Sequence, residues 1–159
     1  MSEHRAVIRW SHAGGPFLKK QYSRVHTWSF DGGATVSASA APSNVPGPYA
    51  DPAGVDPEEA FVAAIASCHM LMFLWLAARE GVDVLRYEDD AVGRMTPDDR
   101  GHSWVSVVDL APRVVYVEGR APEPAHEADL HHRAHEQCFI ANSVRTDIRV
   151  RTDVAAPAP

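Results

Sequence analysis

Bulky and small side chains alternate along the first forty residues, and this pattern predicts β-structure. In residues 22–30 the large side chains fall at every second position, which is the period of a strand. The Asp-Gly-Gly sequence at residues 31–33 is typical of a turn, and a second strand-like run occupies residues 34–40. We therefore predict strands over residues 4–10 and 21–40, with a turn inside the second region.

A long apolar helix follows a loop rich in proline and glycine, residues 41–55. Asp56 is a good N-cap residue, Pro57 suits the first helical position, and Glu59 completes a capping box. Gly81 is typical of the residue just past a helix end. These signals predict a helix of roughly 23 residues, about 35 Å long. Because this helix is apolar on nearly all sides, we expect the rest of the protein to sheathe it as the core.

The rest of the pattern predicts two strand-rich stretches, a second helix and a closing strand. Residues 82–94 and 103–117 are strand-like, and the turn-forming segment 97–101 between them indicates a hairpin. A second helix is predicted over residues 125–138 and a last strand over residues 144–151. Hairpins with segregated helices are typical of an α+β domain and not of a doubly wound parallel sheet.

Composition supports one globular domain. The chain has 159 residues and is 45% hydrophobic, which suits a single compact unit. We assign that domain to residues 1–154 and expect the Ala/Pro-rich tail, residues 155–159, to fray. A net charge of −6 argues against a basic surface for nucleic acid, so no nucleic-acid partner is expected.

The apolar run at residues 61–78 carries no charged side chain and is long enough to be tested as a membrane span. It is solitary, rich in alanine and interrupted by Ser67, Cys68 and His69. We interpret it as a buried core helix, with no membrane partner. The N-terminal segment has no apolar stretch typical of a secretory signal, so the expected location is cytoplasmic.

The two cysteines, Cys68 and Cys138, are too few for a disulfide-rich scaffold or a four-thiolate zinc site. Either one alone is explained as a small core hydrophobe. His69 beside the first, and the polar residues 131–137 before the second, indicate a partly open site. Two thiols within reach of each other permit a cycle: one is oxidised to a sulfenic acid, condenses with the other and is later reduced.

A metal site is a competing interpretation of the same region. His131, His135 and Cys138 are spaced i, i+4 and i+7, so one helix face could present all three, with Cys68 or His69 as a fourth ligand. A solvated polar helix face explains these histidines equally, because the chain has nine histidines and i, i+4 pairs then occur often.

Two segments together resemble the motifs of the OsmC/Ohr family, the osmotically inducible protein C and organic hydroperoxide resistance proteins. Residues 56–70, Asp-Pro-Glu-Glu-Ala-Phe-Val-Ala-Ala-Ile-Ala-Ser-Cys-His-Met, look like the family's Asn-Pro-Glu-Glu-to-Ala-Cys helix. Residues 138–143, Cys-Phe-Ile-Ala-Asn-Ser, resemble its second cysteine motif, and the spacing between the two cysteines also fits. The resemblance extends over most of the chain.

The resemblance implies an OsmC-like α+β fold, with antiparallel sheets wrapped around a long central helix in an intertwined homodimer with shared active sites. It implies reduction of organic hydroperoxides to alcohols without a cofactor. Cys68 would be the peroxidatic thiolate and Cys138 the resolving thiol. An external dithiol, such as a dihydrolipoyl protein, would then reduce the disulfide.

Glu58 matches the family's active-site glutamate. Ten residues of one helix span about 15 Å, so Glu58 would serve the Cys68 of a partner chain and not that of its own helix. The alternative is a carboxylate that stabilises the N-terminal end of the helix dipole.

Arg24 is the best match to the family's peroxide-activating arginine, because residues 38–57 contain no arginine. A cation at this place would lower the pKa of the thiolate and stabilise the charge that develops as the O–O bond breaks. Arg24 is expected to share a strand face with His26 and Trp28, and a surface strand residue is the alternative.

For substrate contact we predict His69, Met72 and Phe73. The resemblance implies a preference for apolar hydroperoxides over hydrogen peroxide, which an apolar lining would favour: Met70, Leu71, Met72, Phe73 and Trp75. Core packing explains each of them equally. His26 and His135 are the other histidines that could touch the chemistry. The alternative function is a non-catalytic dimeric OsmC-like protein that binds a ligand or metal or senses redox state, motivated by the absent loop arginine and the added histidines.

Overall fold

The computed structural model describes residues 2–152. Within the chain, contacts define two compact units, the first ending at Ala60 and the second beginning at Phe61. The assignment of one domain to residues 1–154 stays a prediction, and the predicted fraying of residues 155–159 lies outside the described residues.

The first unit contains a three-stranded antiparallel sheet with strand order β1-β2-β3. The strands are β1 (Ala6–Arg9), β2 (His26–Phe30) and β3 (Thr35–Ala38), and a short 3₁₀ turn covers Phe17–Lys19. Gly33, in the turn between β2 and β3, has a φ of 87°, a left-handed value that glycine adopts without steric strain. The strands and the turn predicted from the alternating pattern are confirmed, with shorter bounds.

The long helix α1 covers Pro57–Arg79, as the sequence predicts. Its N-terminus carries the predicted capping box: the Glu59 N–H donates to Asp56 Oδ1 at 2.8 Å, and the Asp56 N–H donates to Glu59 Oε2 at 3.2 Å. These two bonds satisfy backbone donors that have no partner within the helix.

The expectation that the chain sheathes α1 on all sides is wrong. Five α1 side chains are buried (Ile65, His69, Phe73, Leu76 and Ala77). On another face Leu71 is 61% exposed and Trp75 is 49% exposed. An apolar helix is expected to be shielded from water, but its composition does not show whether its own chain or a partner shields it. Among the described helices, α1 is long and apolar enough to cross a bilayer. The core helix of a soluble protein passes the same test, so the interpretation of α1 as a core helix and not a membrane span stays a prediction.

The second unit contains two separate sheets. Strands β4 (Val84–Asp89) and β7 (Pro112–Tyr116) pair antiparallel as a two-stranded sheet. Strands β5 (Val92–Pro97) and β6 (Ser103–Leu110) form an antiparallel hairpin. The hairpin predicted from the turn-forming residues 97–101 is therefore confirmed.

The second helix, α2, covers Pro124–Gln137 and the last strand, β8, covers Asp147–Val150. Both lie where the sequence predicts them, shifted or shortened by a few residues. Strand β8 pairs parallel with β6, which completes a sheet of order β5-β6-β8. The mixed architecture is the predicted α+β class.

Two buried clusters fix α1 within the second unit. In one cluster α1 packs against α2 through Phe73, Leu76, Ala77, Leu130 and Ala134. In the other it packs against β6 through Ile65, Val108 and Leu110. Cys68 lies on α1 between these two contact regions, so its position is set from both directions.

Candidate active site

The fold brings the two cysteines together. Cys68 lies in the middle of α1, and Cys138 is the residue that follows the last turn of α2. Both are free cysteines, and the Cys138 Sγ donates to the Cys68 Sγ at 2.7 Å. The pair selected from the sequence is 70 residues apart in the chain and adjacent in space.

The segment after α2 wraps around both sulfurs. The backbone N–H of Ile140 donates to Cys68 Sγ at 3.5 Å, and that of Ala141 donates to Cys138 Sγ at 3.4 Å. Asn142 holds this segment in place, because its side-chain amide donates to the Glu136 and Cys138 carbonyl oxygens at 2.8 and 2.9 Å. These carbonyls at the end of α2 need partners outside the helix, which explains the small polar stretch after Cys138.

Burial gives the two thiols different properties. Cys138 is 1% exposed, whereas Cys68 is half-buried. Burial, with a further contribution from the contact with Cys68, raises the pKa of the Cys138 thiol to about 11. Cys138 is therefore protonated at neutral pH and acts as the hydrogen-bond donor, while Cys68 is the sulfur with access to solvent.

A buried contact between His69 and His131 adjoins the cysteines. His69 Nε2 and His131 Nδ1 are 3.1 Å apart, and the two rings lie parallel and edge to edge with centroids separated by 5.4 Å. Burial lowers the pKa of His69 to about 3 and that of His131 to about 4, so both rings are neutral at neutral pH. Sequence reasoning missed this pairing, although a histidine inside an apolar helix signals a polar partner elsewhere.

The geometry differs from the one that the metal interpretation requires. His131 Nδ1 faces His69 Nε2 in a hydrogen bond between the two rings. A metal site would instead need at least three ligand atoms directed at one point. Within residues 2–152, no three side chains from His, Cys, Asp or Glu are arranged to hold a metal ion.

The three residues predicted to contact substrate belong to the core beside Cys68. His69 is 1% exposed and Phe73 is fully buried, while Met72 is partly buried against the cluster between α1 and α2. The Phe73 ring stacks on His131 with a centroid distance of 4.2 Å. Their contact with substrate stays a prediction.

Glu58 lies in the first turn of α1, in the first unit. Its Oε1 accepts a hydrogen bond from the Asn44 side-chain amide at 3.4 Å. The negative charge at this end of the helix also stabilises the helix dipole. A role for Glu58 at the Cys68 of a partner chain stays a prediction.

Arg24 lies two residues before β2, so the expectation that it is a strand residue is wrong. Its guanidinium stacks over the Tyr22 ring at 3.7 Å and donates to the carbonyl oxygens of Lys20 and Tyr22. These contacts hold the Arg24 side chain against the segment that precedes the strand. Arg24 and His26 line a pocket of about 430 Å³ in the first unit, together with aromatic rings including Trp10. The catalytic role of Arg24 stays a prediction.

His26 is fixed by its neighbours. The Trp28 Nε1–H donates to His26 Nε2 at 2.8 Å, so His26 Nδ1 carries the proton and donates to the Arg24 carbonyl oxygen at 2.7 Å. Both ring nitrogens are therefore engaged in the first unit.

The family described as OsmC-like protein matches residues 50–153. An OsmC-like protein of unknown function from Vibrio cholerae is 47% identical in sequence and superimposes with a TM-score of 0.92, covering 95% of this chain and 99% of that one. None of the curated proteins searched matches this chain.

More distant structures share the fold. The organic hydroperoxide resistance protein OhrB of Bacillus subtilis is 17% identical, with a TM-score of 0.65 over 94% of this chain and 97% of its own. An organic hydroperoxide resistance protein OsmC from Legionella pneumophila is 16% identical, with a TM-score of 0.68 over 95% of each chain. The mixed α+β architecture is thus that of OsmC and Ohr structures, and this chain belongs to the OsmC family.

Proposed function

We propose that this protein is a thiol-dependent peroxidase that reduces organic hydroperoxides to alcohols. The observation that carries the proposal is the 2.7 Å contact between the Cys68 and Cys138 sulfurs, with one thiol accessible and the other buried. The shared fold with organic hydroperoxide resistance proteins supports this choice of substrate class.

The first step is attack of the Cys68 thiolate on the distal oxygen of the hydroperoxide. The S–O bond forms as the O–O bond breaks, and the leaving alkoxide takes a proton to become an alcohol. Cys68 is left as a sulfenic acid. The partial exposure of Cys68 supports this assignment, because the attacking sulfur needs access to substrate.

The second step joins the two sulfurs. Cys138 attacks the sulfur of the Cys68 sulfenic acid, its thiol proton passes to the departing hydroxide, and water leaves. The high pKa of Cys138 supports its role here, because a thiol that stays protonated does not compete for the peroxide. An external dithiol, such as a dihydrolipoyl protein, then reduces the disulfide, so no bound cofactor is needed. Such a reductant places the protein in a reducing compartment, the cytoplasm.

The active unit in this proposal is a homodimer. The exposed face of α1 carries a stripe of apolar and small side chains at helical spacing: Ala64, Ser67, Leu71, Trp75 and Ala78. An apolar stripe of this length is typical of a surface covered by a partner. A second copy would cover it and bring Glu58 and Arg24 of the partner subunit to Cys68, where the cation would stabilise the peroxide oxygen.

Peroxide turnover with excess dithiothreitol tests the proposal. The wild-type protein is expected to consume cumene hydroperoxide faster than hydrogen peroxide. Cys68→Ser is expected to lose all turnover. Cys138→Ser is expected to form no intramolecular disulfide and to turn over only as fast as dithiothreitol itself reduces the Cys68 sulfenic acid, since its resolving thiol is gone. If Cys68→Ser matches the wild type, the proposal is wrong; if wild-type thiols oxidise once without turnover, the redox-sensing alternative holds.

A further inference from the structure

The His69–His131 contact joins the same two elements as the cysteine pair. His69 follows Cys68 on α1, and His131 lies on α2 two helical turns before Cys138. Two bridges thus connect α1 to the C-terminal half of α2: one between sulfurs at 2.7 Å and one between imidazoles at 3.1 Å. A slide of α2 along α1 would change both distances, because the same two elements carry both bridges.

The imidazole bridge is enclosed by core side chains. His69 is 1% exposed and His131 is 2% exposed. The two rings lie parallel within 5°, and the Phe73 ring covers His131 with a centroid distance of 4.2 Å. The pair therefore has little freedom to tilt, because both rings are buried and Phe73 lies against the face of His131.

The unpaired nitrogen of His69 indicates the direction of the hydrogen bond. His69 Nδ1 is buried and has no partner among the described residues. An orphaned acceptor is tolerated better than an orphaned donor inside a protein. We therefore assign the proton of His69 to Nε2, which donates to His131 Nδ1.

A hydrogen bond does something at this place that the surrounding apolar contacts do not. The hydrophobic driving force is non-directional, so the contacts of Phe73, Leu130 and Ala134 restrict the lateral position of α2 on α1 only through the shapes of the packed side chains. A bond between two ring nitrogens has a narrow range of distance and angle. The histidine pair can therefore fix the register of α2 on α1, and with it the place of Cys138.

We propose that His69 and His131 are positioning residues for the dithiol: their hydrogen bond sets the Cys138 sulfur against the Cys68 sulfur. The proposal rests on the proposed function only in treating this dithiol as the reactive group. It concerns the effective concentration of one thiol at the other, and not the identity of the oxidant. A misplacement of about 1 Å at a reacting centre can lower a rate by up to about a hundredfold, so positioning of this kind has a measurable effect.

The thiol–disulfide equilibrium with dithiothreitol measures this positioning directly. Cys68 and Cys138 form a disulfide and lose two hydrogens, while the cyclic oxidised form of dithiothreitol accepts them and becomes the dithiol. The equilibrium constant gives the effective concentration of one protein thiol at the other. Because no peroxide is present, this result is independent of whether the protein is a peroxidase.

His131→Phe removes the ring nitrogen while keeping an aromatic ring against Phe73. We expect the effective concentration to fall by about tenfold or more, since the lateral constraint is lost. His131→Asn is expected to restore most of the wild-type value, because its amide oxygen can accept near the position of Nδ1. His132→Asn is the matched control on the exposed side of α2 and is expected to have no effect.

The thermal stability of each reduced variant separates positioning from folding. A merely structural role would lower Tm in His131→Phe and leave the effective concentration within about twofold of the wild type, and that result overturns the proposal. Leu130→Val supplies the converse control, because it weakens the same core without touching the hydrogen bond.

A measurement on the wild-type protein keeps the proposal testable if His131→Phe does not fold. Nuclear magnetic resonance of ¹⁵N-labelled histidine reports which ring nitrogens carry protons. We expect a slowly exchanging His69 Nε2–H coupled to His131 Nδ1 in the reduced protein. Absence of that coupling overturns the proposal.

Discussion

Cys138 and Cys68 have the same side chain but different surroundings, and the surroundings decide their chemistry. Cys138 is enclosed where α2 ends, and burial raises its thiol pKa to about 11. Cys68 keeps partial access to solvent and accepts hydrogen bonds from the Cys138 thiol and the Ile140 N–H. A protonated donor beside an accessible acceptor is the arrangement that a two-thiol peroxidase needs in its reduced state.

Burial also shifts the pKa values of His69 and His131, and this shift predicts how the stability of the fold depends on pH. Their pKa values of about 3 and about 4 in the folded protein lie below the value of about 6.5 for an unfolded chain. The unfolded state therefore binds more protons as pH falls below 6.5, and the folded state loses stability in that range.

We expect urea unfolding of the reduced protein to give a free energy of unfolding that is lower at pH 5 than at pH 7.5. The loss is up to about 2 kcal/mol for each histidine that stays neutral in the fold. His131→Phe should show a smaller loss, while the exposed control His132→Asn should match the wild type. A free energy of unfolding that does not change between these pH values would show that the pair is not buried and neutral.

At the scale of elements, local chemistry made the helices and turns predictable. The capping box of Asp56 and Glu59 defines the start of α1 without reference to the rest of the fold, and the glycine turn before β3 is equally local. The parallel pairing of β6 with β8 is not local, and no residue pattern within either strand specifies it. The contact between His69 and His131 is also non-local, so it could not be predicted from the sequence around either residue.

Arg24 shows a second limit of sequence patterns. The alternation of large side chains runs through residues 22–30, but the strand begins only at His26. The guanidinium of Arg24 binds the carbonyl oxygens of Lys20 and Tyr22, and its backbone N–H donates to the Tyr49 carbonyl oxygen in a loop and not to a neighbouring strand. Alternation records which side chains are large, but it does not show where the backbone pairs with a neighbouring strand.

At the scale of the whole molecule, α1 is the unusual element. Its apolar composition predicted burial on all sides, yet Leu71 and Trp75 remain exposed in the single chain. The pattern could not say which chain would cover them, since hydrophobic burial does not depend on connectivity. In the proposed dimer, a second copy of the chain would cover the remaining apolar face.

Leu71→Glu tests this account, because a carboxylate in an apolar interface is costly unless it is paired. We expect the wild-type protein to be a dimer in analytical ultracentrifugation and the variant to be a monomer. In the monomeric variant, turnover of cumene hydroperoxide should fall, because the partner's residues are lost from the site. Disulfide formation with oxidised dithiothreitol should remain, because both cysteines belong to one chain. Leu18→Glu, at a leucine that is 95% exposed outside α1, is the control and should stay dimeric. A wild-type monomer at micromolar concentration would contradict the dimer proposal.

The central claim, that Cys68 and Cys138 act together on an organic hydroperoxide, is tested most directly by intact mass after one equivalent of cumene hydroperoxide. Peptide mapping then locates the oxidised atoms. The account predicts a loss of two hydrogen atoms per chain and a single Cys68–Cys138 disulfide, with no disulfide in either Cys→Ser variant. An unchanged mass, or oxygen retained on Cys68 while Cys138 stays reduced, would contradict it.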